Sequence, residues 1–424
     1  MAKKWLILGG MAILAPLSFN KWFNSLCPEL PKGIVINEPA QALPSFARQT
    51  GFSCSTCHTI PPQLNPYGRI FKIRGYTDGT AIGEMLLDDN KKLLQYNPIS
   101  LRVLNYPYSK VKGQDRKSLI PEEFIIAFGG RVSENVGAYV AGAQEAGENF
   151  GIEIMKLNFV WDVGGNILGA TLFKSSPGLN DPFSSFNYYT SNRFTRYRGS
   201  LFDNARRKFT SDLWLPDSRG AGVYAYIGDL VYASVGAYTG TMQDNVGEPI
   251  NKGESDPFDV FARVAITPPL PVNVNFGAFY YSGKDKLSIT TTSNTQVKPT
   301  RYGIDGGIYH SFGDFGVQLF ATYMDAKDKY DVSPVFKHKG YNIQGNLFWK
   351  NKVGVALNYG FYDYKTDNPL MRSGTQAGRQ IKDTTLHVSY MFRPNVRIAG
   401  EYTSTSQKGG SSSYTQTLIV DFAF

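Results

Sequence analysis

Phe258-Asp-Val-Phe-Ala-Arg-Val-Ala-Ile266, then Thr267-Pro-Pro-Leu-Pro271, then Val272-Asn-Val-Asn-Phe-Gly-Ala-Phe-Tyr280 reads as two strands joined by a proline-rich connection. Phe258, Val260, Ala262, Val264 and Ile266 fall in one row, with Asp259 and Arg263 in the opposite phase. Val272, Val274, Phe276, Ala278 and Tyr280 repeat the pattern, with Asn273 and Asn275 opposite. A strand places successive side chains on opposite faces, so each segment has one apolar and one polar face.

The same alternation runs outward in both directions. Phe124, Ile126 and Phe128 oppose Glu123, Ala127 and Arg131. Phe315, Val317, Leu319, Ala321 and Tyr323 form another row, as do Val353, Val355, Leu357, Tyr359 and Phe361. Half-apolar segments of roughly ten residues suit strands that cross a bilayer. Very short connections (Gly164-Gly165-Asn166, Gly228-Asp229, Phe312-Gly313-Asp314, Asn351-Lys352, Arg393-Pro394-Asn395) alternate with longer polar ones near 241–256, 283–298, 325–335, 366–380 and 405–412. The longest spans about 174–218 and carries Arg193, Arg196, Arg198, Arg206, Arg207 and Lys208, a cluster suited to anionic lipopolysaccharide. Strict alternation puts all short turns at one end of a barrel, an asymmetry that a soluble sandwich does not need. The expected fold is all-β: a transmembrane barrel of about sixteen antiparallel strands over residues 94–424.

Composition agrees. Charged residues are 19 % of the 424, below the roughly 25 % of soluble domains. Aromatics reach 14 %, which excludes a disordered chain. The net charge of +9 is spread without a long basic run, so nucleic acid is not an expected partner. With the apolar row toward lipid, Arg102, Glu123, Arg131, Arg263, Arg301, Asp305, Asp383, Arg397 and Glu401 must face the lumen. The reverse would cost about 2–4 kcal/mol for each central Lys or Arg. The last strand ends with Leu418, Val420, Phe422 and Phe424 on one face, which resembles the signal recognised by barrel-assembly machinery.

The first residues are of another kind. Lys3 and Lys4 precede an apolar run from Trp5 to Phe19, a secretory signal pattern, and Ala40-Gln41-Ala42 offers a small-x-small cleavage site. Residues 1–42 are therefore expected to be a signal peptide, Cys27 leaving with them. That leaves Cys54-Ser55-Thr56-Cys57-His58. C-x-x-C-H is the attachment motif of c-type haem: two thiols add across the porphyrin vinyl groups and the adjacent imidazole reaches the iron. A zinc site would want a second cysteine pair, and a thioredoxin-like disulfide would want a βαβ setting; neither is present. One haem c is expected, with Cys54 and Cys57 covalent and His58 axial; Met85 and His387 are candidates for the sixth ligand. Residues 43–93 form the haem segment, too small to build its own core and expected to plug the lumen from the periplasmic end. Asp181, Asp203, Asp244, Glu248, Glu254 and Asp256 are available loop carboxylates, but no pair marks a site for iron.

Leu43-Pro-Ser-Phe-Ala-Arg-Gln-Thr-Gly-Phe-Ser-Cys-Ser-Thr-Cys-His58, with Pro61-Pro-Gln-Leu-Asn-Pro-Tyr-Gly-Arg-Ile-Phe-Lys-Ile-Arg-Gly-Tyr76, resembles the fused monohaem cytochrome–porin family, whose best-known members are outer-membrane iron oxidases of iron-oxidising bacteria. The resemblance implies an oxidoreductase-class electron-transfer protein of the bacterial outer membrane. Electrons would pass from an extracellular donor, Fe(II) first among the candidates, to a periplasmic carrier. It also implies a haem pocket of Phe46, Arg48, Pro62, Arg69, Phe71 and Lys72. Arg48, Arg69 and Lys72 would either pair with haem propionates or dock the plug on inward carboxylates such as Glu123 or Glu401. Two alternatives stand beside it: a conduit for another donor or toward an external acceptor, and a diffusion porin with a structural or regulatory haem segment.

Overall fold

The structure is a computed structural model that describes residues 43–59, 63–79, 98–145, 149–174, 180–183, 219–239, 259–290, 293–330, 335–350, 352–366, 380–393, 395–408 and 412–424. Two short helices, α1 (Pro44–Thr50) and α2 (Pro66–Ile73), precede the strands. The strands are β1 (Ile99–Val111), β2 (Lys117–Ser133), β3 (Val136–Glu145), β4 (Gly151–Val163), β5 (Asn166–Lys174), β6 (Arg219–Ile227), β7 (Val231–Thr239), β8 (Asp259–Ile266) and β9 (Asn273–Ser282). They continue with β10 (Asp285–Thr290), β11 (Ser293–Phe312), β12 (Phe315–Tyr330), β13 (Phe336–Trp349), β14 (Val353–Thr366), β15 (Gln380–Arg393), β16 (Val396–Gln407) and β17 (Ser413–Ala423).

Apart from β9 and β10, strands that neighbour in sequence pair antiparallel, and β1 pairs with both β2 and β17, so the sheet closes. β9 and β10 lie end to end along β11, Thr300 facing Ser282 and Val297 facing Asp285. The seventeen strands therefore make sixteen staves. Closure leaves no unpaired edge, which a lipid-embedded sheet requires. The short turns share one end with the start and finish of the barrel: Ala423 N donates to Asn395 O (2.9 Å) and Phe424 N to Leu101 O (2.8 Å).

Two connections expected as loops are largely strand. The 283–298 segment contains β10 and the start of β11, and 325–330 extends β12. The stretches 283–286, 291–296 and 325–329 carry few apolar residues, which masks the alternation. The ladder itself continues: Lys298 faces Lys329 and Thr300 faces Lys327.

The alternation assigns the two faces as expected. Val260, Val264, Ile266, Phe276, Ile304, Leu319 and Leu357 point outward and are exposed. Glu123, Arg263, Arg301, Asp305, Asp383, Arg397 and Glu401 are buried within the barrel. Arg102 and Arg131 are half-buried on the same inward row. Phe258 lies outside the described residues. The interior charges are matched: Asp421 accepts from Arg102 (2.9 Å) and Arg397 (3.0 Å). Arg263 lies between Asp181 and Asp305, each at 2.7 Å. An unpartnered buried charge is strongly destabilising, so such networks are what makes a charged lumen tolerable.

Candidate haem-attachment site

Residues 43–59 and 63–79 lie against the inner wall, near the end with the short turns. Gly75 sits against Gly137 beside the β2–β3 turn, and Ile73 packs with Val160, Ile167, Tyr226 and Tyr232. The C-x-x-C-H turn is held by α2. Cys54–Thr56 is a single 3-10 turn, and Asn65 caps the following helix by accepting from Gly68 N (2.9 Å). The same Asn65 amide donates to Ser55 O (3.2 Å) and Thr56 O (2.8 Å), while its backbone N–H donates to Cys57 O (2.9 Å). One side chain therefore starts the helix and clamps the motif to it. Pro66 at the first helical position adds a pre-set φ and no orphan donor. His58 pairs with Leu64 as an isolated antiparallel bridge, which closes the loop between motif and helix.

Gly68 is required by contact rather than by φ. A Cβ there would stand 2.2 Å from the carbonyl oxygen of Cys57. The backbone of the motif and the first turn of α2 touch with no side chain between them.

The segment is tied to the wall by amides. Gln318 donates to Leu64 O (2.9 Å) and accepts from Thr59 Oγ1. Asn346 donates to Gln63 and to Gln318 (3.3 Å), and beyond it Asn342, Gln344 and Asn358 continue the chain of side-chain bonds. On the opposite side Gln49 donates to Tyr76 O (2.8 Å) and accepts from Arg131 N (2.9 Å). Ser45 N donates to Ser100 Oγ (2.9 Å).

The residues expected to line a haem pocket serve several contacts. Phe46 stacks on Tyr76 (4.9 Å between ring centres) and meets Phe71 edge-on (5.2 Å), with Tyr139 of the wall alongside. Arg48 donates to Ile99 O at the start of β1. Arg69 donates to Asn273 Oδ1 (2.6 Å) and lies over the Phe183 ring. Lys72 donates to Asp181 O (3.1 Å). Burial lowers the Lys72 ammonium to about 8, partly opposed by the Asp181 charge, and lowers Arg69 to about 10. Arg69 thus reaches an amide of the wall and Lys72 a backbone carbonyl of the inward-turned connection. Pro62 and Met85 lie outside the described residues. His387 is fully buried on β15, its Nδ1 3.4 Å from Glu401. His310 is exposed on the outward row, as its phase predicts.

Asp181 departs from its sequence reading as an available loop carboxylate. It is buried between the wall and α2, ion-paired to Arg263, and accepts from Phe183 N (2.9 Å). Residues 180–183 of the longest connection thus turn inward. The other loop carboxylates (Asp203, Asp244, Glu248, Glu254, Asp256) lie outside the described residues, as does the basic cluster at 193–208.

The donor set fits a covalently attached haem. Two cysteines with two residues between them bracket one short turn, an imidazole follows at once, and Cys57 and His58 are both half-buried. Beside them Phe52 is 48 % exposed and meets Tyr67 edge-on at 5.9 Å. That is apolar surface in an otherwise amide-rich lumen. Asn65, Gln63, Gln318 and Asn346 are functional candidates that composition and motif spacing miss. Only Asn65 carries a readable signal, as a capping residue directly before a proline.

No family model matches the sequence, and no curated protein sequence matches it. Solved structures do match the barrel. A loop-deletion mutant of OmpT, an outer membrane protein of Vibrio cholerae, is 13 % identical with a TM-score of 0.51, covering 77 % of this chain and 98 % of that one. The trimer form of in-vitro folded OmpT is 12 % identical with a TM-score of 0.50, covering the same shares. The outer membrane channel DcaP of Acinetobacter baumannii is 12 % identical with a TM-score of 0.48, over 77 % of this chain and 95 % of that one. The barrel has the fold of outer-membrane proteins. At this identity the likeness concerns architecture alone, and the haem motif must be judged on its own geometry.

Proposed function

We propose that the chain is an outer-membrane cytochrome–porin that carries electrons from an extracellular donor, Fe(II) foremost, to a periplasmic carrier through one haem c. The observation that supports this is the C-x-x-C-H turn, clamped by Asn65 and Gly68 to a helix that is itself bound to the lumen wall. Haem bound through Cys54 and Cys57, with His58 on the iron, supplies a one-electron couple. The chain's own residues set its surroundings. Asn65 and the His58–Leu64 bridge hold the imidazole-bearing backbone in one conformation. The Gln318–Asn346 amides keep the segment from leaving the lumen. Phe52 and Tyr67 offer apolar surface near Cys57. Fe(II) oxidation outside the cell suits such an arrangement, because the insoluble ferric product then forms away from the periplasm.

A diffusion porin is the second reading, favoured by the fold shared with outer-membrane proteins. Protein purified from outer membranes separates the two. Covalent haem on a denaturing gel, and haem reduction on adding Fe²⁺, are expected for the cytochrome. A colourless protein with open solute flux in liposomes would leave the porin alone. Haem that Fe²⁺ fails to reduce would redirect the reading to another donor or to the reverse direction.

A further inference from the structure

On the outer wall, at the end away from the short turns, lysines of β11, β12 and β13 face one another. Lys298 stands opposite Lys329, and Lys327 opposite Lys337, whose next partner in register is Lys365. Lys298, Lys327, Lys329 and Lys337 are all exposed, in phase with the outward row of Ile304, Tyr323 and Tyr341. Side chains directly opposite on an antiparallel pair have Cβ atoms about 4.5–5.5 Å apart, and like charges there are destabilising. The rows below fix the level of this patch. Ile304, Tyr323, Tyr341 and Phe361 stand side by side across β11–β14, Tyr341 stacked on Phe361 at 5.4 Å. Outward aromatic rows of this kind mark the membrane–water interface of such barrels. The next row is mixed: Lys339 is flanked in register by Asp325 and Asp363. The other four lysines lie beyond it, about 13 Å along the strand from Tyr323 to Lys327. The face thus carries five exposed lysines against two aspartates.

Positive charge concentrated just above a lipid-facing aromatic row meets whatever head groups lie at that height. We propose that this face binds the phosphorylated head group of an outer-leaflet glycolipid, lipid A, with its phosphates on Lys298, Lys327, Lys329 and Lys337 and its acyl chains along Ile304, Tyr323 and Tyr341. Lysine is a compact charge on a flexible apolar stem, so it reaches a phosphate at the interface while the stem stays on the wall. Two facing lysine pairs call for more than one phosphate per head group. A phospholipid with a single phosphate matches one pair and leaves the other repelling. The end with the long connections is extracellular in bacterial barrels, which is the leaflet that holds such a glycolipid. The surface lies outside the lumen and stands whether or not the chain carries haem.

The test is native mass spectrometry of the full-length protein in detergent freed of lipopolysaccharide, titrated in turn with bis-phosphorylated lipid A, dephosphorylated lipid A and phosphatidylglycerol. Saturable retention of the bis-phosphorylated form, about tenfold tighter than either other lipid, is the expected result. Combining Lys298→Gln, Lys327→Gln, Lys329→Gln and Lys337→Gln should weaken that retention about tenfold, with the barrel intact by heat-modifiable gel migration. Lys110→Gln with Lys117→Gln, two exposed lysines at the same end of β1 and β2, should leave it unchanged. Equal retention of dephosphorylated lipid A or of phosphatidylglycerol by the parent protein overturns the proposal. So does an affinity untouched by the four substitutions, or an equal loss in the β1–β2 variant.

Discussion

Gly68 and Cys57 touch backbone to backbone: the place a Cβ would take on Gly68 is 2.2 Å from the Cys57 carbonyl oxygen. Because that oxygen belongs to the motif backbone, it cannot swing away as a flexible side chain would. Gly68→Ala should push the C-x-x-C-H turn off α2, at a cost of about 1–3 kcal/mol, the usual scale for overpacking. The barrel makes none of these contacts and should fold as before. Covalent haem per folded barrel, read by haem stain against heat-modifiable migration, should fall. An undiminished ratio would show that the contact is dispensable.

Asn65 serves three backbone groups of the motif and one of the helix. Asn65→Ala removes the cap and the two side-chain bonds to Ser55 and Thr56, and cap loss alone costs about 0.5–2 kcal/mol. Amide exchange at residues 54–58 should speed up, while the strand ladder stays protected. Asn65→Asp keeps the cap but cannot donate to the two carbonyls, so it should restore only helix protection.

Arg263 neutralises Asp181 on the inward-turned connection and Asp305 on β11. Arg263→Met removes the ion pairs of two buried carboxylates, a loss of about 3–5 kcal/mol by the usual cost of breaking such a pair. Residues 180–183 should release from the wall. Solute flux through reconstituted protein is the measurement, and it should rise above that of the parent chain.

Lys72 lets pH report on docking of the segment. Its folded pKa of about 8 lies below the ordinary lysine value of 10.5. The undocked segment therefore binds more protons between those values, and docking strengthens as pH rises through that window. The slope is at most about 1.4 kcal/mol per pH unit. Denaturant midpoints for release of the segment, taken at pH 8 and pH 10, should separate in the parent protein and draw together in Lys72→Met.

How far the residues alone carry the reading differs by element. The rows at 258–266 and 272–280 disclose strands and their inward charges, because a lipid face forces period-two alternation on every membrane-crossing stave. Beyond the lipid belt that force ends. The extensions in β10, β11 and β12 carry few apolar residues and look like loops. The haem motif is legible because covalent chemistry demands adjacent residue types. Its support is not, since Gln318 and Asn346 lie more than 250 residues from the segment they hold.

The linear order of side chains was enough to settle a closed barrel and which charges enter its lumen, and it displays the C-x-x-C-H spacing. These are local or periodic properties that each strand or turn must satisfy by itself. Only the tertiary structure decided that Arg69 and Lys72 grip an amide and a carbonyl, and that Asp181 folds inward onto Arg263. Those pairings depend on which staves stand opposite the segment across the lumen, and barrel closure sets that, not spacing along the chain.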